Sequence, residues 1–396
     1  VDATIGFNLH VPANGTAYVT SWVACGHSYG EVKTLNQKIL EKWPDRMIAR
    51  TDAYWRLWVR KQDHDLSGFS HRVADLFNRS QLVVRTQIDN GGAIIAANDT
   101  DIQQFGGDHY SYCWPRDGAL VTYALILASQ SELSRAFFRF CASAIRDEGY
   151  FLHKYTPTGE LASSWHPWML EGQRVLPIQQ DETALVLWAL RKHFQEFKDV
   201  EFIKPLYQPL VVRPADWMLS YRDINGLPKP SWDLWEERRG IHTFTVAATI
   251  GALRAAAAFA ADFGEPDRAA QYREGADRMT TALGRHMWNS ERERFCRMAV
   301  PTPDGGYRLD MTIDSANFAL FAFDALDIDD PRVDSEMRQI RERLGCKTSV
   351  GGCARYERDY YHQIERDKIE AVPGNPWVIC TLWHAQHVIA KAVCSP

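Results

Sequence analysis

The chain has 396 residues, more than a single small domain holds, so one large domain or two smaller ones is expected. Hydrophobic residues make up 45%, charged residues 24%, and the formal net charge is −5. Without a basic excess, neither nucleic acid nor an anionic membrane surface is expected as a partner. Aromatic residues are abundant, with 14 Trp, 15 Tyr and 18 Phe, and their flat faces suit stacking on sugar rings. The eight cysteines (Cys25, Cys113, Cys141, Cys296, Cys346, Cys353, Cys380 and Cys394) form no CxxC pair. Cys346 and Cys353 match no common zinc spacing, so no metal site is expected. Most of the cysteines read as small buried hydrophobes, which points to a reducing, cytoplasmic compartment. Sequons at Asn14, Asn78 and Asn98 would matter only in a secreted chain. No signal peptide or membrane span is expected, because the apolar run Phe244–Phe263 carries Arg254 and Asp262 and reads as a buried helix.

Residues 4–25 alternate apolar and polar positions and break at Pro12-Ala13-Asn14-Gly15, which predicts a β-hairpin. Two strands are barely stable alone, so residues 1–29 read as the remnant of a β domain. Residues 30–67 read as a helical linker with an apolar stripe that includes Leu35, Ile39, Trp43, Met47 and Trp55. From residue 68 the pattern is helix after helix. Segments are expected at 68–85, 116–130, 132–147, 181–197, 199–222, 243–264, 266–288, 312–326, 331–345 and 376–393.

Segments 116–130 and 243–264 are apolar nearly all round, whereas 132–147, 266–288 and 331–345 are charged on one face. Inner helices alternating with outer ones predict a mainly α fold, an α/α toroid over residues 68–396. Short connections alternate with long ones at 86–115, 148–180, 223–242, 289–311 and 346–375. Long irregular loops are uncommon unless they do something. In a toroid they gather at one rim, so the site is expected there.

The loops hold the clusters that carry chemistry. Ser231-Trp-Asp-Leu-Trp-Glu-Glu-Arg-Arg-Gly240 sets Asp233, Glu236 and Glu237 among indoles, where desolvation keeps an acid protonated. Tyr110, Trp114, Arg116 and Asp117 share a second loop, and an adjacent Arg–Asp pair both donates to and accepts from sugar hydroxyls. Asp117 also fits as a helix N-cap, as do Asp181 and Glu182 in Gln179-Gln-Asp-Glu-Thr183. Trp165 and Trp168 stand on another loop, where exposed indoles are costly unless they touch something. Arg355 follows Gly351 and Gly352 and either reaches a ligand or pairs with Glu357 or Asp359. Trp377, beside Gly374-Asn375-Pro376, opens a helix. No P-loop, dinucleotide-binding glycine motif, HExxH or nucleophile elbow occurs.

In order and spacing, YxYCWPRDGAL, QQDETAL, SWDLWEERRGxHTFT, ARYERDYY and GNPWVICTLW resemble the glucoamylase and glucodextranase family of inverting glycoside hydrolases, family 15, bacterial type. The likeness covers about residues 5–393. It implies an N-terminal β-sandwich and an (α/α)6 barrel that releases β-glucose from the non-reducing ends of α-1,4 or α-1,6 glucans. No cofactor is implied as required, and a structural calcium is conceivable although no ligand loop stands out. By matching position, Glu236 takes the role of general acid, with Glu237 and Asp233 binding and tuning around it. Arg116, Asp117 and Arg355 would hold hydroxyls of the terminal sugar, with Asp181 beside them. Tyr110, Trp114, Leu234 and Trp235 would line it, Trp165 and Trp168 would shape further subsites, and Trp377 would support the floor.

The family's general base, a glutamate in a later loop, has no match here, since residues 371–396 contain no Asp or Glu. Ten helical segments where barrel closure takes twelve lead to the same expectation: a barrel lacking its last two helices. A non-catalytic sugar-binding barrel and a trehalose hydrolase are the alternatives.

Overall fold

In the computed structural model the described residues are 4–98, 110–363 and 372–394, and the chain divides into two units, 1–82 and 83–396. In the first unit, residues 4–28 contain no strand. A turn in which the Gly15 N–H donates to the Pro12 carbonyl at 2.9 Å stands where the hairpin was expected to reverse. The alternating side chains Ile5, Phe7, Leu9 and Val11 are exposed. A two-stranded ladder without a face to bury is not stable, which explains the missing hairpin.

The linker is helical as expected, in two pieces: α1 (Tyr29–Lys42) and α2 (Pro44–Arg60). Ser28 and Glu31 begin α1 with a reciprocal cap, Ser28 Oγ accepting from the Glu31 N–H and the Glu31 carboxylate from the His27 N–H. The boundary between the units falls inside α3 (His71–Thr86).

The second unit is built from inner and outer helices. The inner set is α4 (Pro115–Leu127), α6 (Gln180–Phe197), α8 (Thr243–Asp262), α10 (Ala319–Ala322, entered through a 3-10 turn at Ser315–Phe318) and α12 (Val378–Cys394). Each touches the next in that order, the 3-10 turn rather than α10 itself meeting α12. Outside them lie α5 (Ser131–Ala144), α7 (Arg213–Ser220), α9 (Pro266–His286) and α11 (Pro331–Leu344). The segment expected as one helix over 199–222 is broken into short helical turns before α7. Pro205, Pro209 and Pro214 each withhold an N–H from the ladder, which accounts for the break.

Helix α8 shows how the inner layer is made. Its run of Ala, Thr and Val packs on α6, α9 and α10 at once, and small side chains let three neighbours approach. Gly251 is required there, because a Cβ at that position would lie 2.3 Å from the Phe323 carbonyl oxygen. Among the described residues α8 alone is long and apolar enough to cross a membrane, and 83% of that stretch is buried inside the protein. It is a core helix.

Three of the long loops are not irregular. Beside the small pairs β1 (Met169–Leu170) with β2 (Gln173–Arg174) and β5 (Trp288–Asn289) with β6 (Arg294–Phe295), they supply β3 (Ser231–Trp232), β4 (Arg239–His242), β7 (Met298–Pro301) and β8 (Tyr307–Asp310), paired antiparallel in the order β3-β4-β7-β8. Strands of two to four residues carry too little alternation to be read from sequence. The sheet positions the site, because the β3–β4 hairpin carries the acidic loop.

Glu336 of α11 ties the chain just before β7 to the inner layer. Its two oxygens accept from the Phe295 N–H at 2.7 Å and from Asn317 Nδ2 at 2.9 Å. Burial pushes the carboxyl up to about 7. A folded value above the unfolded one favours the protonated protein, so this contribution is complete below about pH 4.3 and is lost as pH rises through about 7. Glu336→Gln, paired with a flipped Asn317 amide, is expected to remove that loss. Thermal melts at pH 5 and pH 8 should show the variant gaining on the parent by on the order of 3 kcal/mol towards the higher pH. Parallel pH dependences would refute it.

Candidate active site

The turn between β3 and β4 is organised by the buried Asp233. Its Oδ1 accepts from the backbone N–H of Glu237 at 2.7 Å and of Arg238 at 3.0 Å, while its carbonyl accepts from the Glu236 N–H at 2.9 Å. This winding forces Glu236 to φ +63°, in the left-handed region that non-glycine residues seldom occupy. Trp235 is held from behind, donating its indole N–H to both oxygens of the buried Asp314 at 3.1 Å. Burial pushes Asp314 up to about 6, against the charge of Arg297.

A second centre is Arg116, at the start of α4, whose guanidinium is almost fully buried. Its Nη2 lies 3.2 Å from Asp117 and 3.7 Å from Glu236 Oε1. Its Nη1 lies 3.5 Å from Asp181 and 3.3 Å from Glu182 and also donates to Gln179. Glu182 accepts the backbone N–H of Arg116 as well. Burial draws Arg116 down, but Glu182, Asp117, Asp181 and Glu236 together outweigh it and hold the cation charged. The same burial pushes Asp181 up to about 6 and Glu182 well above the carboxylate range, with Arg116 opposing both.

The third centre is Arg355. Asp359 takes it bidentately, with Nε at 2.7 Å and Nη2 at 2.8 Å, and Nη2 reaches Glu237 at 3.2 Å. Of the two roles open to Arg355 in the sequence, the pairing with Asp359 is therefore realised. Its guanidinium also lies 4.9 Å from the ring centres of Trp377 and Tyr361 and 5.2 Å from that of Trp235. Glu237 is fully engaged, since Oε2 accepts from the Tyr356 hydroxyl at 2.6 Å and from Arg238 at 2.7 Å.

The loop 148–179 adds residues the sequence did not single out. His153 is buried, with Nε2 3.2 Å from Glu236 Oε1 and 3.2 Å from Trp114 Nε1, and Nδ1 2.8 Å from Ser164 Oγ. His166 lies face on to Trp232 at 4.5 Å and is bonded to the Gln179 amide at 3.0 Å. Lys154 sits fully buried over three rings, 3.7 Å from that of Trp165, 4.6 Å from Tyr112 and 5.0 Å from Trp114.

Burial lowers His153 and takes His166 down to about 3. For Glu236, burial acts upward, while the hydrogen bond with a charged His153, the charge of that ring and the charge of Arg116 together take it below the usual carboxylate value. The two shifts on the pair conflict, because the downward pull on Glu236 needs a proton on His153 that burial itself disfavours. The neutral ring is the better supported, since Trp114 can only donate to Nε2.

These elements enclose a cleft of about 560 Å³. Tyr110, Trp114, Arg116, Asp117, Trp165, Leu234, Trp235, Glu236, Glu237, Arg355 and Trp377 all line it, so four distant loops meet as the toroid reading expects. Three named residues do not line it. Asp181 and Asp233 are buried behind it, holding Arg116 and the hairpin turn, and Trp168 is half-exposed beside β1 (Met169–Leu170). Tyr361, Ile379 and Trp383 are additional lining residues. Tyr361 lay inside the quoted ARYERDYY motif, whereas Trp383 sat unmarked within an apolar helix.

Donor atoms of His153, His166 and Glu236 lie within 4.8 Å of one another, the one such grouping among the described residues. It is poorly suited to a cation. Arg116 and Lys154 stand beside it, and the Nε2 atoms of both rings are engaged by Trp114 and Gln179.

The family profile described as "Glycosyl hydrolases family 15" matches residues 74–394. An uncharacterized glycosyl hydrolase of Methanocaldococcus jannaschii is 26% identical over 388 residues, covering 96% of this chain and 56% of that protein. A glucoamylase of a Clostridium species is 23% identical over 380 residues, covering 89% of this chain and 50% of that one. A bacterial glucoamylase crystallised with acarbose superposes with a TM-score of 0.71 at 18% identity, over 92% of this chain and 54% of its own, which shows the fold. The chain spans about half the length of these relatives.

The hairpin turn yields a direct test. Asp233→Ala leaves the Glu237 and Arg238 N–H groups without their acceptor and is expected to cost about 2 kcal/mol or more. Asp233→Asn keeps an oxygen in place and should lose less. Urea unfolding of both variants measures the difference, and equal stabilities would show that the carboxylate does not hold the turn.

Proposed function

The chain belongs to glycosyl hydrolases family 15, and from that premise we propose that the cleft cleaves α-glucosidic bonds, releasing β-glucose from non-reducing ends with inversion. Glu236 is the general acid. The observation that carries this is the isolation of its carboxyl: Oε1 faces His153 and Arg116, while Oε2 has no partner among the described residues and opens to the cleft. In the reaction the glycosidic C–O bond breaks, its electron pair stays on the leaving oxygen, and the proton of Glu236 joins that oxygen. Arg116 and Asp117 supply donor and acceptor for hydroxyls of the terminal sugar, and Trp114, Tyr110 and Trp165 offer ring faces.

Inversion needs a second carboxylate about 6.5–9.5 Å from the acid to activate water. Glu237 is fully bonded to Arg355, Tyr356 and Arg238, and Asp117 is paired with Arg116. Glu237 therefore lacks the freedom of a base, and this reading assigns the acid without assigning the base. Proton transfer between carboxyl groups and water needs no cofactor.

Maltose, isomaltose and trehalose, with the product anomer followed by NMR, form the test panel. β-Glucose from one of the first two is expected, and Glu236→Gln should lower kcat by about 10²–10⁴-fold while the fold is kept. An α-anomeric product, or near-normal turnover by that variant, would sink the assignment. Trehalose as the preferred substrate would move it to the other linkage, and sugar binding without hydrolysis would favour a binding barrel.

A further inference from the structure

We propose that His153 is a positioning residue that keeps Glu236 protonated, the neutral imidazole accepting a hydrogen bond from the carboxyl so that the two groups hold one proton between them. This deepens the function proposed above and rests on Glu236 being the acid. Hydrogen-bond polarity carries the inference. Nε2 of His153 has two polar neighbours at 3.2 Å, Nε1 of Trp114 and Oε1 of Glu236. An indole N–H can only donate, so Nε2 offers it a lone pair and the ring hydrogen sits on Nδ1. There it meets Ser164 Oγ at 2.8 Å, an oxygen that also accepts the His166 N–H at 3.1 Å.

With Nε2 bare, an ionised Glu236 would set lone pair against lone pair. A protonated carboxyl turns the same contact into an O–H···N bond. The imidazolium alternative fares worse on each count: it points Nε2–H at the Trp114 N–H, buries a charge completely, and adds a third cation beside Arg116 and Lys154.

Among the described residues, the charged and titratable groups around the pair come from three elements: Arg116 and Asp117 from α4, Asp181 and Glu182 from α6, and Lys154 and His166 from the loop 148–179. Arg116 is already matched by carboxylates, so it does not require Glu236 to be ionised as well. Burial of His153 lowers its own proton affinity, in agreement with the neutral ring. The proton stays available, because the Nε2 lone pair is shared with Trp114 and holds it weakly, and a turn of the carboxyl carries the protonated oxygen from Nε2 to the cleft side.

The test is an ¹⁵N NMR titration of protein labelled at histidine, with His153→Gln identifying the His153 signals. A bare Nε2 and a protonated Nδ1 are expected at pH about 7, unchanged in Glu236→Gln, whose amide still donates to Nε2. Two protonated ring nitrogens at that pH, with one proton lost in Glu236→Gln, would overturn the proposal. In the active protein the alkaline limb of kcat/KM should move down by about one pH unit in His153→Phe, equivalent to a hydrogen bond of about 1.4 kcal/mol. His153→Gln, whose amide oxygen still accepts, should recover part of that shift. An alkaline limb that stays or rises would overturn it equally. The NMR reading needs no turnover, so full activity in Glu236→Gln would remove the acid assignment while leaving the protonation result to stand by itself.

Discussion

A guanidinium buried among carboxylates is the constraint on which the site depends. Arg116 touches Asp117, Asp181, Glu182 and Glu236 at 3.2–3.7 Å. A lone buried cation would be prohibitively costly, and so would two of those acids without it. The group is therefore cooperative: α4 delivers the cation, α6 delivers two buried acids at its first turn, and neither helix end is tolerable without the other. This fixes the N-termini of two inner helices on the same rim. Once they are fixed, Trp114 and Gln179, which directly precede them, fall into place against His153 and His166.

Opposite this centre stands a smaller one of similar logic. Arg355 is clamped by Asp359 and shared with Glu237, and its flat face lies against Trp235, Trp377 and Tyr361. Guanidinium stacking on aromatic rings costs less solvation than burial of a compact ammonium. The acidic hairpin turn is thus gripped from both sides, by Arg116 at Glu236 and by Arg355 at Glu237. Consecutive residues leave the turn in different directions, which the left-handed backbone at Glu236 makes possible. The adjacent pair of glutamates consequently serves two unrelated tasks.

Much of this was legible in the sequence. Helices of ten or more residues declare themselves by periodicity, and the contrast between all-round apolar segments and one-faced ones separates inner from outer layers, as α8 and α9 illustrate. Motif matching brought Glu236, Arg116 and Arg355 to attention although their loops are far apart in sequence. Three things were not legible. The sheet made from two long loops has strands too short for a period to register. Asp181 and Asp233 look like ligand-binding acids, and only three-dimensional burial shows that they neutralise Arg116 and cap a turn. His153 gave no signal because its meaning lies in contacts to Trp114, 39 residues earlier, and to Glu236.

The balance of partners in the cleft sets Glu236 apart from its neighbours. Glu237 has both oxygens occupied, and Asp359 is clamped on Arg355. Asp181 and Glu182 are sealed behind the wall. Glu236 is half satisfied: Oε1 is anchored by His153, and Oε2 opens towards the cleft. A carboxyl anchored at one oxygen is held in a defined place beside the cleft, which the proton donation proposed for it requires. The ion pairs around it are therefore more than scaffold: those of Glu237 and Asp359 engage carboxylates that would otherwise compete for the role proposed for Glu236.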